Sequence, residues 1–314
     1  MNAPTEILYL SRADVANLLP PLDEQIALVA ETFTAHREGR VHLPPKTGVH
    51  PRPDSVIRAL PVHLEDQDVA AIKWVGGYAG NRARGLNFMN GLIVLSDAAN
   101  GLPLAIMDAA EITAARTAAA SGLCIRQWAR DGWRRASILG CGEQARFHAE
   151  LLRTLEPDVE IHAYDPHPER IEALGPGTVA HSDPREAVQG SDIVITAGPI
   201  RSNPTPVVDR SLLGDRYLAL PLDFDSLIDA SVLQAADLFL VDDDGQYQDQ
   251  RTQGRFGGWP AQPDGLVGLR DAGDEATAER IVCANLGIGA LDAAYADVVV
   301  KRGVAAGAGA GLAR

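Results

Sequence analysis

One stretch constrains the fold more than any other. The apolar run "ASILG", residues 136–140, breaks at Gly140-Cys141-Gly142-Glu143-Gln144-Ala145, continues as "RFHAELL" with helical spacing, and is followed by a second apolar run, "VEIHAYD", that ends on Asp165. Two glycines separated by one residue, between a strand and a helix, suit a tight turn whose backbone faces a ligand. Gly140 permits the turn, and Gly142 lets a pyrophosphate approach the helix N-terminus. Ala145 allows the helix to pack closely on the strand. Asp165, about twenty residues past Ala145, stands where a carboxylate accepts from the ribose hydroxyls of a dinucleotide. Such an acid repels a 2′-phosphate, and the following "PHP" contains no Arg, so the pattern favours NAD(H) over NADP(H). The expected cofactor residues are Gly140, Cys141, Gly142, Glu143, Gln144, Ala145 and Asp165.

The chain around this stretch repeats the alternation of strand and helix. After "VEIHAYD" come "PERIEAL", "TVAH", "PREAVQG", "DIVITAG", "RYLALPLD", "SVLQAAD" and "LFLVDD". Short Val/Ile/Leu-rich runs separated by helical segments predict a parallel sheet covered on both faces, the doubly wound Rossmann pattern.

The first third reads differently. "EILYL" is a strand, Ser11 caps a helix over "SRADVANLL", and a second helix starts near Asp23, with Ile26, Val29, Ala30 and Phe33 on one stripe. From Val41 to Leu95 the runs "VIRALPVHL", "VAAIKWVGGY" and "NGLIVLSD", punctuated by Gly, Pro and Asn, predict a mostly antiparallel sheet. "DAAEITAARTAAASGLCIRQWARD" is then a long Ala-rich helix with Asp108 near its start, bridging into the second domain. A helix from about Glu275 is expected to return to the first domain, and the Gly/Ala-rich tail "VVVKRGVAAGAGAGLAR" is expected to fray. The expected boundaries are 1–115, with 290–314 returning, and 116–289.

A formal net charge of −14 and the absence of a basic stripe interleaved with aromatics argue against nucleic acid. No run approaches the roughly 18 apolar residues of a membrane span, and "MNAPTEILYLSR" lacks a basic-then-apolar leader, so a cytoplasmic protein without a membrane partner is expected. The cysteines Cys124, Cys141 and Cys283 are odd in number and far apart, which argues against disulfides and structural zinc. Asp242-Asp243-Asp244 closes a strand without further clustered ligands and reads as a solvated strand end. His50 and His63 are isolated in a β-rich segment and read as structural.

The stretches "PPKTGVHP", "AIKWVGGYAGN", "GLIVLSDAANGLPLAIMDAAEITAARTAAAS", "GCGEQA", "SDIVITAG", "ADLFLVDD" and "NLGIGALD" resemble the ornithine cyclodeaminase/μ-crystallin family over nearly the whole chain. The resemblance implies an α+β substrate-binding domain that also forms a homodimer through its sheet, joined to an NAD-binding Rossmann domain. It also implies chemistry at the carbon–nitrogen bond of an α-amino or α-imino acid. In the cyclodeaminase form, NAD⁺ takes hydride from Cα of a diamino acid, the terminal amine attacks the imine, ammonia leaves and hydride returns. An imine reductase or amino acid dehydrogenase, and a noncatalytic binder of NAD(H) or a small ligand, are the alternatives.

An amino acid needs cations for its carboxylate, and Lys46, Lys73 and Arg116 sit in otherwise apolar or glycine-containing runs. Arg116 offers a bidentate fork; its other reading is a solvated helix face or an ion pair between domains. By resemblance Lys73 is a substrate-site lysine, and partial desolvation would lower its pKa and fit it to relay a proton; a snorkelling surface lysine is the alternative. Asp223, closing "RYLALPLD", matches the family's catalytic aspartate, which would orient the substrate amine and exchange protons with it. Its other reading is a helix cap. Two departures bear on substrate. Lys46 stands where the family commonly has Arg, and the segment after Asp223 is the short "FDSLID", which lacks the usual Gly and Lys and adds Asp225.

Overall fold

The computed structural model describes residues 6–53, 55–201, 203–268 and 278–314. In chain order it begins with β1 (Glu6–Leu10), α1 (Arg12–Leu18), α2 (Leu22–Arg37), β2 (Val41–His42), β3 (Thr47–Val49), β4 (Ser55–Leu64), β5 (Val69–Tyr78), β6 (Met89–Asp97), β7 (Pro103–Asp108) and α3 (Ala110–Trp128). Strands β8 (Arg135–Leu139), β9 (Glu160–Tyr164), β10 (Thr178–Ala180), β11 (Ile193–Thr196), β12 (Tyr217–Pro221) and β13 (Leu238–Val241) follow. Between them lie α4 (Glu143–Leu155), α5 (Glu169–Glu172), α6 (Pro184–Val188) and α7 (Ala230–Gln234). The chain then forms α8 (Asp244–Thr252), β14 (Gly265–Leu266), β15 (Arg280–Ala284), α9 (Gly289–Ala306) and β16 (Ala310–Ala313). Contacts divide it into two units: the residues up to Arg116 with Ile288–Arg314, and Thr117–Gly287. The boundary falls inside α3.

The first unit holds an eight-stranded sheet in the order β16-β1-β7-β6-β5-β4-β2, with β3 also on β4. Its centre is the antiparallel meander β4–β5–β6, in which Leu60, Lys73 and Ile93 lie across from one another. Along β5, Val69, Ala71, Lys73 and Val75 are buried while Ile72 and Trp74 are exposed, so alternation sends the two sets to opposite faces. Helix α9 packs on β4, β5 and β6. Ser11 caps α1 in a capping box with Asp14.

Two expectations fail here. The Gly/Ala tail does not fray: after α9 it forms β16, antiparallel to β1 with Glu6 opposite Ala313. Low side-chain content does not prevent a backbone ladder when a strand edge is available. The returning helix begins at Gly289; Glu275 lies outside the described residues, and Arg280–Ala284 is strand β15 of the other unit. The apolar run "RIVCA" merges with the helical periodicity that follows it, and periodicity alone does not separate the two.

The second unit is a parallel sheet in the order β10-β9-β8-β11-β12-β15-β13-β14. Strands β11, β12 and β13 are buried along their whole length, as strands covered on both faces must be. Strand β8 has β9 on one side and β11 on the other, so the chain reverses direction across the sheet there. Ligands of doubly wound sheets bind beyond the strand carboxyl ends at such a reversal.

The run Asp242-Asp243-Asp244 also corrects the sequence reading. Asp242 is buried and accepts a hydrogen bond from the Gly287 amide at 2.6 Å. Asp243 caps α8 through the Gln246 amide. Only Asp244 of the three is exposed. A partner in the segment after β15, 45 residues further on, has no local sequence signal.

Candidate active site

The glycine turn leaves β8 and enters α4. Gly140 has φ +89, and a Cβ there would lie 2.7 Å from the Ala197 carbonyl oxygen, so both the backbone angle and the space require glycine. Gly142 is the N-cap of α4 without a side-chain hydrogen bond to the helix, and nothing lies within 4 Å of where its Cβ would be. Ala145 is fully buried under the helix. Glu143 opens the helix, and the Gln144 carbonyl meets His148 Nδ1 at 2.7 Å.

Asp165 fastens the turn: Oδ2 accepts from the Cys141 amide at 2.8 Å and Oδ1 from the His167 amide at 2.9 Å. Arg170 of α5, a residue that sequence reasoning passed over, places Nη1 3.4 Å from Oδ1. The Cys141 thiol is pushed up to about 12 by burial and by the Asp165 carboxylate, so it stays protonated. A pinned glycine turn, an uncapped N-terminus on a thirteen-residue helix and open space above Gly142 fit a dinucleotide pyrophosphate.

In the first unit, two of the three expected cations meet on one acid. Lys73 is 3% exposed; its Nζ lies 2.5 Å from Asp292 Oδ2 and 3.4 Å from Thr113 Oγ1. Arg116, one turn after Thr113 on α3, donates from Nε to Asp292 Oδ1 at 3.1 Å. Burial brings Lys73 down to about 8, with the Arg116 charge adding to the effect and Asp292 opposing it. Burial acts to raise Asp292, but Arg116 and Lys73 together hold its carboxyl below the ordinary value. Lys46, half-buried just before β3, is not part of these ion pairs. Asp292 carried no expected role. Its signal was a lone acid in the apolar stretch "GIGALDAAYA".

Asp223 follows β12 in the second unit and is 1% exposed. Its Oδ1 accepts from Thr196 Oγ1 at 2.5 Å and its Oδ2 from the Gly198 amide at 3.0 Å. Burial raises the carboxyl to about 7, against the pull of those two donors. It caps no helix; Asp229 caps α7. The extra acid, Asp225, accepts from the Phe256 amide at 2.8 Å and lies 3.7 Å from Arg255, tying two loops together. His50 contacts the Ser55 carbonyl oxygen, and His63 stacks on His42. Among the described residues no cluster of three or more His, Cys, Asp or Glu side chains could hold a metal ion, and no helix is long and apolar enough to cross a membrane.

A model of the ornithine cyclodeaminase/mu-crystallin family matches residues 6–220. The nodulation efficiency protein NfeD of Rhizobium meliloti is 35% identical over 197 residues, 61% of this chain and 62% of that protein, so the match spans less than two thirds of that relative. The Δ1-pyrroline-2-carboxylate reductase of Thermococcus litoralis, in complex with NADH and L-proline, has a TM-score of 0.83 and 26% identity over 98% of this chain and all of that one (100%). An archaeal alanine dehydrogenase dimer with bound NAD has a TM-score of 0.84 and 26% identity, over 98% of this chain and 99% of the other.

Proposed function

Because the chain belongs to the ornithine cyclodeaminase/mu-crystallin family, we propose that it is an NAD(H)-dependent oxidoreductase that interconverts a small α-amino acid and its α-imino acid. Asp223 carries the reading. A buried carboxyl raised to about 7 is near half-protonated at neutral pH, which is what a group that both gives a proton to nitrogen and takes one back requires. The neutral donors Thr196 and Gly198 orient it without fixing its charge.

Bound NAD(H) would supply the hydride acceptor or donor at Cα. The chain's own residues do the rest. The Gly140–Ala145 turn would hold the pyrophosphate, and Asp165, locked by the Cys141 amide, would keep an acceptor beside the ribose. Arg116 would grip the α-carboxylate, with Lys73 supplying a second positive charge. Asp223 would hold the amine and move its proton. Two neighbours that match nearly the whole chain at 26% identity are an alanine dehydrogenase and a pyrroline-carboxylate reductase, and they support the net redox reading.

Cyclodeamination is the second reading, favoured by the family itself and by a carboxyl able to trade protons twice in one cycle. Purified protein supplied with amino acids plus NAD⁺, and with 2-oxo acids plus ammonia and NADH, separates them. Stoichiometric change in NADH absorbance is the expected result. Ammonia release with no net change would make it a cyclodeaminase, and neither signal across the panel would leave a binding protein.

A second copy of the chain is the partner we propose. The outward face of the first unit's sheet exposes Ile72, Trp74 (51% exposed) and Leu92, apolar side chains that one subunit leaves in water. Light scattering in dilute solution is expected to give twice the chain mass of 33.4 kDa, and a stable, active monomer would exclude this reading.

A further inference from the structure

Asp292 is the residue on which the first unit's cations converge, and its geometry goes beyond a simple ion pair. It stands in the first turn of α9, 1% exposed, with one oxygen on Lys73 and the other on Arg116. The Arg116 contact is made through Nε, the inner nitrogen of the guanidinium. Neither Nη1 nor Nη2 donates to a described residue. A guanidinium held through Nε is oriented by that contact, while the outer N–H groups remain available for two parallel bonds to a carboxylate.

The charges do not balance. Lys73 and Arg116 bring two positive charges and Asp292 brings one negative, all buried. The other elements packed on Lys73 add no second acid. Leu60 on β4 and Ile93 on β6, directly across from it, are apolar. Thr113 on α3 is a neutral hydroxyl, and Glu111 on the same helix is paired with Arg12 at 2.6 Å. Tyr295, one turn along α9, has its phenol pushed far up by burial and is neutral. A buried group of charges with an unmatched positive is costly unless an anion completes it.

We propose that Asp292 is a positioning residue for substrate: it holds Arg116 by the inner nitrogen so that the outer pair can grip a carboxylate, and it leaves the cluster one anion short, so that the substrate's carboxylate completes it. This rests on the amino acid reading of the site. A consequence follows for Lys73. Carboxylate binding adds a negative charge and favours the ammonium form, so binding takes up protons near pH 8 and weakens as the pH rises above it.

The chain has three lysines, Lys46, Lys73 and Lys301, so ¹³C-labelling at lysine Cε gives a spectrum simple enough to follow one of them by pH titration, with Lys73→Arg for assignment. The expected Lys73 midpoint is about 8, rising when pyruvate is added as the carboxylate probe without nucleotide. Asp292→Asn should move the midpoint below about 7 and weaken pyruvate by about tenfold or more, while Asp292→Glu should recover part of both. A folded Asp292→Asn protein with the Lys73 midpoint and pyruvate affinity of the unmodified chain would overturn the proposal. If that variant does not fold, the unmodified protein still decides: no rise in the Lys73 midpoint at saturating pyruvate, or no binding of pyruvate, overturns it. These measurements need no turnover, so a failed hydride assay would count against the oxidoreductase reading alone.

Discussion

Lys73 in the first unit and Asp223 in the second are buried to nearly the same degree, 3% and 1% exposed, yet their surroundings handle the cost in opposite ways. Burial pulls each toward its neutral form, Lys73 down to about 8 and Asp223 up to about 7. Lys73 is answered by an opposite charge, Asp292, and so keeps its own charge at neutral pH. Asp223 is answered by a hydroxyl and an amide, which stabilise the carboxylate but do not cancel it. An ionic partner makes a buried charge a fixture that can hold something; neutral partners leave it free to titrate. The first arrangement suits gripping a carboxylate and the second suits moving a proton.

The largest expected effect breaks the comparison at Asp223. Asp223→Asn keeps the shape and an acceptor for Thr196 but removes the titration. If this carboxyl carries the proton, turnover should fall by about 10²- to 10⁴-fold. The limb of the pH–rate profile near 7 should vanish with it, while NAD(H) affinity holds, because the glycine turn is on another strand. The pH dependence of stability should change too. Asp223 has a folded pKa above its unfolded value of 3.8, so its contribution to stability is complete below that value and is lost as pH rises through 7. The Asn variant lacks that loss, so its melting temperature should match the unmodified protein at pH 4 and exceed it at pH 8. Near-normal turnover would take Asp223 out of the mechanism.

The contrast also explains what was readable in the chain. The glycine turn, the Ser11 cap, the meander and the alternating second half are local: each rests on residues within one or two elements, and turn chemistry and periodicity report such things directly. Lys73, Arg116 and Asp223 could be singled out by residue type and resemblance, but their partners could not. Asp292 lies 176 positions from Arg116, and only the return of α9 to the first unit makes them neighbours. Thr196 is one hydroxyl in a strand of apolar residues, and nothing local says that it faces a carboxyl 27 positions away. Arg170 is five positions past Asp165, beyond the tripeptide inspected for a cation. Strand β16 was missed because Gly and Ala carry little β signal, whereas the β1 edge that pairs it lies at the opposite end of the chain.

The smallest expected effect sharpens the comparison by changing a neutral partner alone. Thr196→Val keeps the side-chain shape but removes the hydroxyl that donates to Asp223 Oδ1 at 2.5 Å, leaving the Gly198 amide as the remaining donor at 3.0 Å. A hydrogen bond to a charged group contributes about 1.5–3 kcal/mol, and one pH unit corresponds to about 1.4 kcal/mol, so the loss should raise the Asp223 pKa from about 7 by about one to two units. The sign follows from which form the hydroxyl favours: it stabilises the carboxylate, so without it the proton stays on to higher pH. The limb of the kcat/KM profile should therefore move to the alkaline side by that amount, with the maximal rate changed far less than in Asp223→Asn. Stability should follow the same rule. At pH 5 Asp223 is protonated in both proteins and the cost is small; as pH rises past 7 the hydroxyl limits the loss of stability in the unmodified protein and not in the variant, so their denaturation midpoints should separate. A limb that stays near 7 in a well-folded variant would show that burial and the Gly198 amide set the position of Asp223, and that its neutral partners matter less than the ionic partner of Lys73.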